Sequence, residues 1–163
     1  MGNLQSSPSS STTTLQEKYD VFLSFRGEDT RDGFTNNLYE ALSGKKIKTF
    51  MDDQLTRGDI ISQALTEAIE ESKISVIIFS KDYASSKWCL RELIDIMELR
   101  KMNKQTVIPV FYGVEPSDVR NQTGSFKDSF VKHEIFFPDE VQKWREALKE
   151  ASLLSGHNSS VTR

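Results

Sequence analysis

The run Ile74-Ser75-Val76-Ile77-Ile78-Phe79 narrows the folds open to this chain more than any other segment. It is apolar at nearly every position and rich in β-branched residues, so it reads as a strand covered on both faces. Strands of that kind lie at the centre of parallel sheets, with helices above and below. The neighbouring segments agree. Tyr19 to Phe25 is a strand in which aromatic and branched residues alternate with small polar ones, Lys46 to Phe50 is a short second strand, and Thr106 to Tyr112 is a fourth. Pro109 removes a ladder donor from that fourth strand, which favours an edge or a locally irregular position. Helical spacing fills the intervals. Phe34, Leu38, Ala41 and Leu42 form one stripe, stopped by Gly44, and Leu65, Ala68 and Ile69 point inward from a helix that starts near Ile60. Ser86 to Lys101 is a helix with Cys89, Leu93, Ile96, Met97 and Arg100 on its stripe, and either Ser85 or Ser86 as its N-cap. After a loop around Glu115 to Ser117 come a short helix from Ser125 to His133, a fifth strand near Ile135 to Phe137, and a helix from Glu140 to Leu154.

Alternating strands and helices of this kind make a parallel sheet with helices on both faces. The expected fold is therefore α/β: a flavodoxin-like three-layer sandwich with a parallel sheet of four to five strands in the order 2-1-3-4-5. In that order the switch point lies between strands 1 and 3, and ligands bind outside the carboxyl ends of the strands. The site should thus lie between Arg26 to Arg31, after strand 1, and Ser80 to Trp88, after strand 3. The first of these loops packs two arginines, two carboxylates and Gly27 into a few positions, which suits a polyanionic small molecule.

With 163 residues, of which 1–17 read as a disordered Ser/Thr-rich tail, the chain makes one domain over 18–156, followed by a tail or linker start at 157–163. Its end shortly after the last helix is what a truncated or naturally short form of a longer chain would show. Hydrophobic residues at 37% and charged residues at 28% describe an ordinary globular protein, and the net charge of −3 argues against nucleic acid as the main partner. A single cysteine, Cys89, cannot staple the fold, so a reducing compartment is expected and the two glycosylation sequons are coincidental. Nothing resembles a membrane span or a signal peptide. His133 and His157 stand far apart without ligand partners at metal spacing, so no metal is expected. Met1-Gly2-Asn3-Leu4-Gln5-Ser6 fits the N-myristoylation pattern at Gly2, and it fits a plain flexible tail equally well. A single acyl chain would give only weak membrane association.

Trp88 and Glu92 are four apart and share one face in the first turns of the helix after strand 3. An aromatic plane beside a carboxylate at the switch point suits a sugar or a nucleotide, although a helix-surface Glu is more often simply solvated and a Trp more often core. The acidic pair Asp52-Asp53 brings to mind a phosphoacceptor receiver domain, but receivers carry their pair after strand 1 and this pair follows strand 2.

From Tyr19 to about Gly156 the chain resembles a plant Toll/interleukin receptor (TIR) domain, as found at the N-terminus of immune receptors. The motifs that carry the resemblance are Tyr19 to Arg31, Phe50-Met51-Asp52-Asp53, Ala68 to Ser72, Tyr83 to Leu93, and Pro109 to Tyr112 with Pro116 to Arg120. The resemblance implies cleavage of NAD+ or NADP+ at the nicotinamide–ribose bond, with the dinucleotide as substrate and no further cofactor, in plant innate immunity and cell death. It makes Glu92 the catalytic residue, Arg26 and Arg57 the partners of the phosphates with Gly27 letting the chain approach them closely, and Ser86 and Trp88 part of the pocket wall. Nicotinamide leaves a pyridinium as a neutral base, so no acid is needed, and the carboxylate would stabilise an oxocarbenium-like ribose. The resemblance also implies a homo-oligomer through TIR–TIR contacts, contacts with other TIR domains, a cytoplasmic or nuclear setting, and a mobile loop from Asp52 to Ile60 that closes over the site and helps assembly. One departure stands out. Family members often carry Ser-His in the first helix as a self-association contact, where this chain has Asn36-Asn37. The competing reading is a non-catalytic TIR–TIR interaction or adaptor module, and chemistry on nucleic acid is a third reading that the acidic charge disfavours.

Overall fold

The computed structural model describes residues 18–51, 59–154 and 157–158. The N-terminal tail with Gly2 and the loop bearing Arg57 lie outside the described residues.

Five parallel strands form one sheet in the order β2-β1-β3-β4-β5: β1 is Tyr19–Ser24, β2 Thr49–Met51, β3 Ser72–Phe79, β4 Thr106–Phe111 and β5 His157–Asn158. The apolar run around Ile74 is indeed the middle strand. β1 lies against it in register, Val21 opposite Ile74 and Leu23 opposite Val76. The helices are α1 Asn36–Gly44, α2 Asp59–Glu70, α3 Lys87–Lys101, α4 Pro116–Asn121, α5 Ser125–Phe136 and α6 Val141–Ser152. Successive side chains of a strand point to opposite faces, and the core divides accordingly. Phe22, Ile77 and Phe79 join the larger cluster with Leu65 and Ile69 of α2, Leu90 and Leu93 of α3, and Trp144 and Leu148 of α6. Val21, Leu23, Phe25 and Ile78 form the smaller one, covered by Phe34 and by Leu38, Tyr39 and Leu42 of α1. Phe79 is fully buried between the Tyr83 ring, edge-on at 5.0 Å, and the Phe111 ring, stacked at 5.7 Å.

Several expectations shift. Ile135 to Phe137 is not a strand: Ile135 and Phe136 end α5, and Phe137 is its C-cap. The β-branched and aromatic run masked a helical stripe of Phe126, Phe130 and His133, which points inward while Ile135 and Phe136 stay exposed. The fifth strand is instead His157–Asn158, so two residues of the expected tail pair with Val110 and Phe111. Pro109 is opposite Ile77 in β4. Because Tyr112 N–H donates to Phe79 C=O, strand alternation turns the donorless Pro109 nitrogen away from β3, one position before the β4 residues that β5 pairs.

Arg100 is exposed rather than on the inner stripe of α3, where Leu90 joins Cys89, Leu93, Ile96 and Met97. As one of two basic residues in the last turn, Arg100 complements the helix dipole instead. Ala41 is exposed as well. Gly44 closes α1, but the left-handed residue of the exit is Lys46, with φ of 63°. That turn delays β2 to Thr49.

Candidate functional site

Strand β1 delivers Ser24, fully buried, to the carboxyl edge of the sheet. Beyond it Phe25 is buried and Arg26 half-buried. Gly27 then opens a helical turn, Gly27–Thr30, that continues into a π-type turn, Arg31–Thr35, closed by a 2.6 Å bond between the Thr30 and Thr35 hydroxyls. On the other side of the switch point β3 runs into Ser80, Asp82 and a 3-10 turn, Tyr83–Ser85. The two loops are bolted together by one carboxylate. Asp29 Oδ2 accepts from the Ser80 hydroxyl at 2.5 Å and from the Asp82 N–H at 2.8 Å.

Helix α3 starts on the cap expected of Ser86, whose hydroxyl accepts from Cys89 N–H at 3.2 Å. This fixes the helix direction and sends Trp88 and Glu92 along one side of its first turns. Glu92 is 7% exposed, and its Oε1 accepts from the Ser24 hydroxyl at 3.2 Å. The catalytic candidate therefore touches the end of β1. On its other side it borders a cleft of about 210 Å³ between α2 and α3, where Leu65, Thr66 and Ile69 face Trp88, Arg91 and Asp95. Trp88 is half-buried, with Lys87 Nζ 5.3 Å and the Arg91 guanidinium 5.5 Å from its ring. Arg91 makes a bidentate pair with Glu140, at 3.0 and 2.8 Å. That hydrogen-bonded pair raises the Arg91 pKa and lowers that of Glu140. Burial raises the Asp95 carboxyl, and the charges of Glu98 and Glu70 add to it against a Thr66 hydrogen bond. Larger hollows exist elsewhere, such as one of about 450 Å³ between Lys81, Ser85 and Lys132, but they lack an aromatic plane beside a buried carboxylate. We therefore take the smaller cleft as the candidate site.

The structure thus brings Glu92 and Trp88 together on one cleft, with Ser86 at the head of their helix. Arg26 and Gly27 stand at the end of β1, two and three residues past the serine that holds Glu92. Arg57 lies outside the described residues. Asn36 and Asn37 open α1, half-buried and exposed respectively, on the face of the sheet opposite the α2–α3 cleft. The sequence reading missed Ser24, Asp29 and Tyr83. Tyr83 is fully buried, with its hydroxyl 2.9 Å from Ser24 Oγ and donating to Cys89 C=O at 3.2 Å. The available signal was Ser24 itself, a polar residue that follows the apolar run Val21-Phe22-Leu23 at the strand's exit.

A doubly wound parallel α/β domain with a carboxylate and an aromatic plane at its switch point is the class that fold and site define. Residues 18–163 match the TIR domain, and the chain belongs to that family. It is 52% identical over 156 residues to Disease resistance protein RPV1 of Vitis rotundifolia, covering 94% of this chain and 11% of that protein. It is 54% identical over 151 residues to TMV resistance protein N of Nicotiana glutinosa, covering 90% of this chain and 13% of that protein. The chain thus spans little more than a tenth of the length of these relatives. Among solved structures it is similar to the TIR domains of the activated Roq1 resistosome directly recognizing the pathogen effector XopQ, with a TM-score of 0.82, 50% identity, and coverage of 89% of this chain and 90% of that one.

Proposed function

We propose that this TIR domain hydrolyses NAD+ or NADP+ at the nicotinamide–ribose bond and does so when self-associated. The observation that carries the reading is Glu92: a nearly buried carboxylate, tethered to the end of the central β1–β3 pair and bordering a cleft beside Trp88. Burying a carboxylate is costly unless it is held by hydrogen bonds. A pure docking module has no use for that cost at a switch point, which favours the enzyme over the adaptor.

The chemistry needs little else. The glycosidic C–N electron pair leaves with nicotinamide, which departs neutral. Glu92 stabilises the positive charge that builds on the ribose carbon, and low local dielectric strengthens that attraction. Trp88 supplies a flat wall for a ring of the substrate. Arg26 and Arg57 supply positive charge for the phosphates, where arginine forks two hydrogen bonds and lysine does not. Gly27 admits the substrate close to the backbone, and Ser86 retains its hydroxyl proton for donation while capping α3. Self-association is supported by the likeness to TIR domains taken from an assembled resistosome, with Asn36, Asn37 and the segment Asp52 to Ile60 as the contact candidates. The signalling nucleotides released would act in plant immunity and cell death, within the cytoplasm or nucleus.

The test is direct. Concentrated protein is incubated with NAD+, and separately with NADP+, and free nicotinamide is followed by chromatography. Release from either substrate is expected. No release from assembled protein would leave the adaptor reading.

A further inference from the structure

Ser24 stands between two partners. Its hydroxyl donates to Glu92 Oε1 at 3.2 Å and lies 2.9 Å from the Tyr83 hydroxyl, which reaches the Cys89 carbonyl at 3.2 Å. Ser24 and Tyr83 are both fully buried. Burial, with Cys89 and Glu92 adding to it, pushes the Tyr83 phenol well above its ordinary range, so Tyr83 keeps its proton throughout.

Each hydroxyl has one proton to donate, which makes the string countable. With Glu92 ionised, Ser24 donates to the carboxylate and Tyr83 donates either to Ser24 or to the Cys89 carbonyl, for two bonds. With Glu92 protonated, the acid donates to Ser24, Ser24 to Tyr83, and Tyr83 to the Cys89 carbonyl, for three bonds in one direction. Both states are satisfied; between them the Ser24 hydroxyl reverses, and Tyr83 turns only where it had donated to Ser24.

We infer that Ser24 and Tyr83 are positioning residues for Glu92, a two-hydroxyl relay that holds its carboxylate at the cleft edge and reverses direction when Glu92 takes up a proton. This rests on the hydrolytic reading of the site. When water attacks the ribose carbon, a C–O bond forms, and the water proton passes to the Glu92 carboxylate while the Ser24 hydroxyl turns from Glu92 to Tyr83. Glu92 then returns that proton to solvent through the cleft, and the Ser24 hydroxyl turns back. No electrons are gained or lost.

Among the described residues, these ionisable groups stand around Glu92. Tyr83 and Cys89 lie on the relay side, and Arg91, already paired with Glu140, and Asp95 lie on its own helix. Arg26 follows at the end of β1, and the described lining from α2 is Leu65, Thr66 and Ile69, with Glu70 beside Asp95.

Removing each hydroxyl should move Glu92 in opposite directions. Ser24→Ala loses the charge-assisted donor to the carboxylate and raises the Glu92 pKa, by about one unit. Tyr83→Phe costs the ionised state one bond and the protonated state two, because the Ser24 proton then has no acceptor. That lowers the pKa, by roughly half a unit to one unit. Ser24→Thr keeps the hydroxyl and should stay near wild type. A merely structural loosening would shift both variants the same way, toward the value of a solvated glutamate. The experiment titrates the Glu92 carboxyl by carbon NMR in protein labelled at glutamate, with Glu92→Ala identifying the resonance and thermal melts confirming folding. The kcat and KM of nicotinamide release are followed across the same pH range. Opposite shifts, with the acid limb of kcat following them and KM unchanged, support the relay. Shifts of one sign, no shift in folded Tyr83→Phe, or a change confined to KM would overturn it. Opposite shifts in a wild type that releases no nicotinamide would uphold the relay and dismiss the hydrolytic reading.

Discussion

Asp29 is the cheapest place to unfasten the switch point, because a single oxygen ties its two loops. In Asp29→Ala the Ser80 hydroxyl, in a residue only 2% exposed, loses the acceptor 2.5 Å away. The Asp82 N–H, half-buried, loses the one at 2.8 Å. A buried donor left unsatisfied costs about 1–3 kcal/mol, while a donor that water can reach costs about 0.5–1 kcal/mol. The sum is roughly 2–4 kcal/mol. For a domain of this size each kcal/mol moves the midpoint by about 2–4 °C, so Tm should fall by roughly 4–16 °C in calorimetry. The assignment to Ser80 is separable. Once Ser80→Ala is in place, Asp29→Ala strands one donor fewer, so the double variant should be milder than the sum of the singles by about 1–2 kcal/mol. Additivity within about 0.5 kcal/mol would refute the reasoning, as would an Asp29→Ala protein that melts with wild type.

Glu92→Ala should lower the rate of nicotinamide release by at least about a hundredfold with the fold retained, since Ser24 and Tyr83 can still pair with each other; a folded variant within a few-fold of wild type would remove Glu92 from the chemistry. Specific activity should climb with protein concentration, and charged residues in place of Asn36 and Asn37 should weaken both association by light scattering and turnover; a flat concentration profile would dismiss dependence on assembly. The Glu140 pKa is depressed by Arg91, so this pair stabilises the fold above the pKa of an unfolded glutamate, and the stabilisation fades as acid carries pH down through the folded value. Both side chains are more than a third exposed, which limits the effect to about 0.5–1 kcal/mol; urea melts of Glu140→Gln should show that gap near pH 7 and none in strong acid, and a gap that widens in acid would contradict the sign.

The order of the first four strands was readable because each of them announces itself locally. The run around Ile74 read as central, and the cap of the helix after it was narrowed to Ser85 or Ser86. The pairing of Trp88 with Glu92 was readable from helical spacing. What local patterns could not carry was contact across the sheet: Ser24 with Glu92 and Tyr83, or Asp29 with Ser80, joins residues more than fifty positions apart. Ile135 to Phe137 misled for a related reason. Strand-like residues were placed in a helix by what Phe130 and His133 bury, with His133 Nε2 2.7 Å from the Ala84 carbonyl oxygen. Tertiary packing overrode local preference there.

Pro109 has one more consequence. Among the described residues, β2 contributes three and β5 two, so the described part of each sheet border offers little backbone to an incoming strand. On the β4 side, the rung before β5 lacks its hydrogen altogether. A copy of the chain laid along that border would meet a gap in its ladder at once. Proteins that crowd together to signal run the risk of fusing through their sheets, and here the route is narrowed by covalent structure. The self-association proposed above would then run through helices and loops, contacts that can be undone.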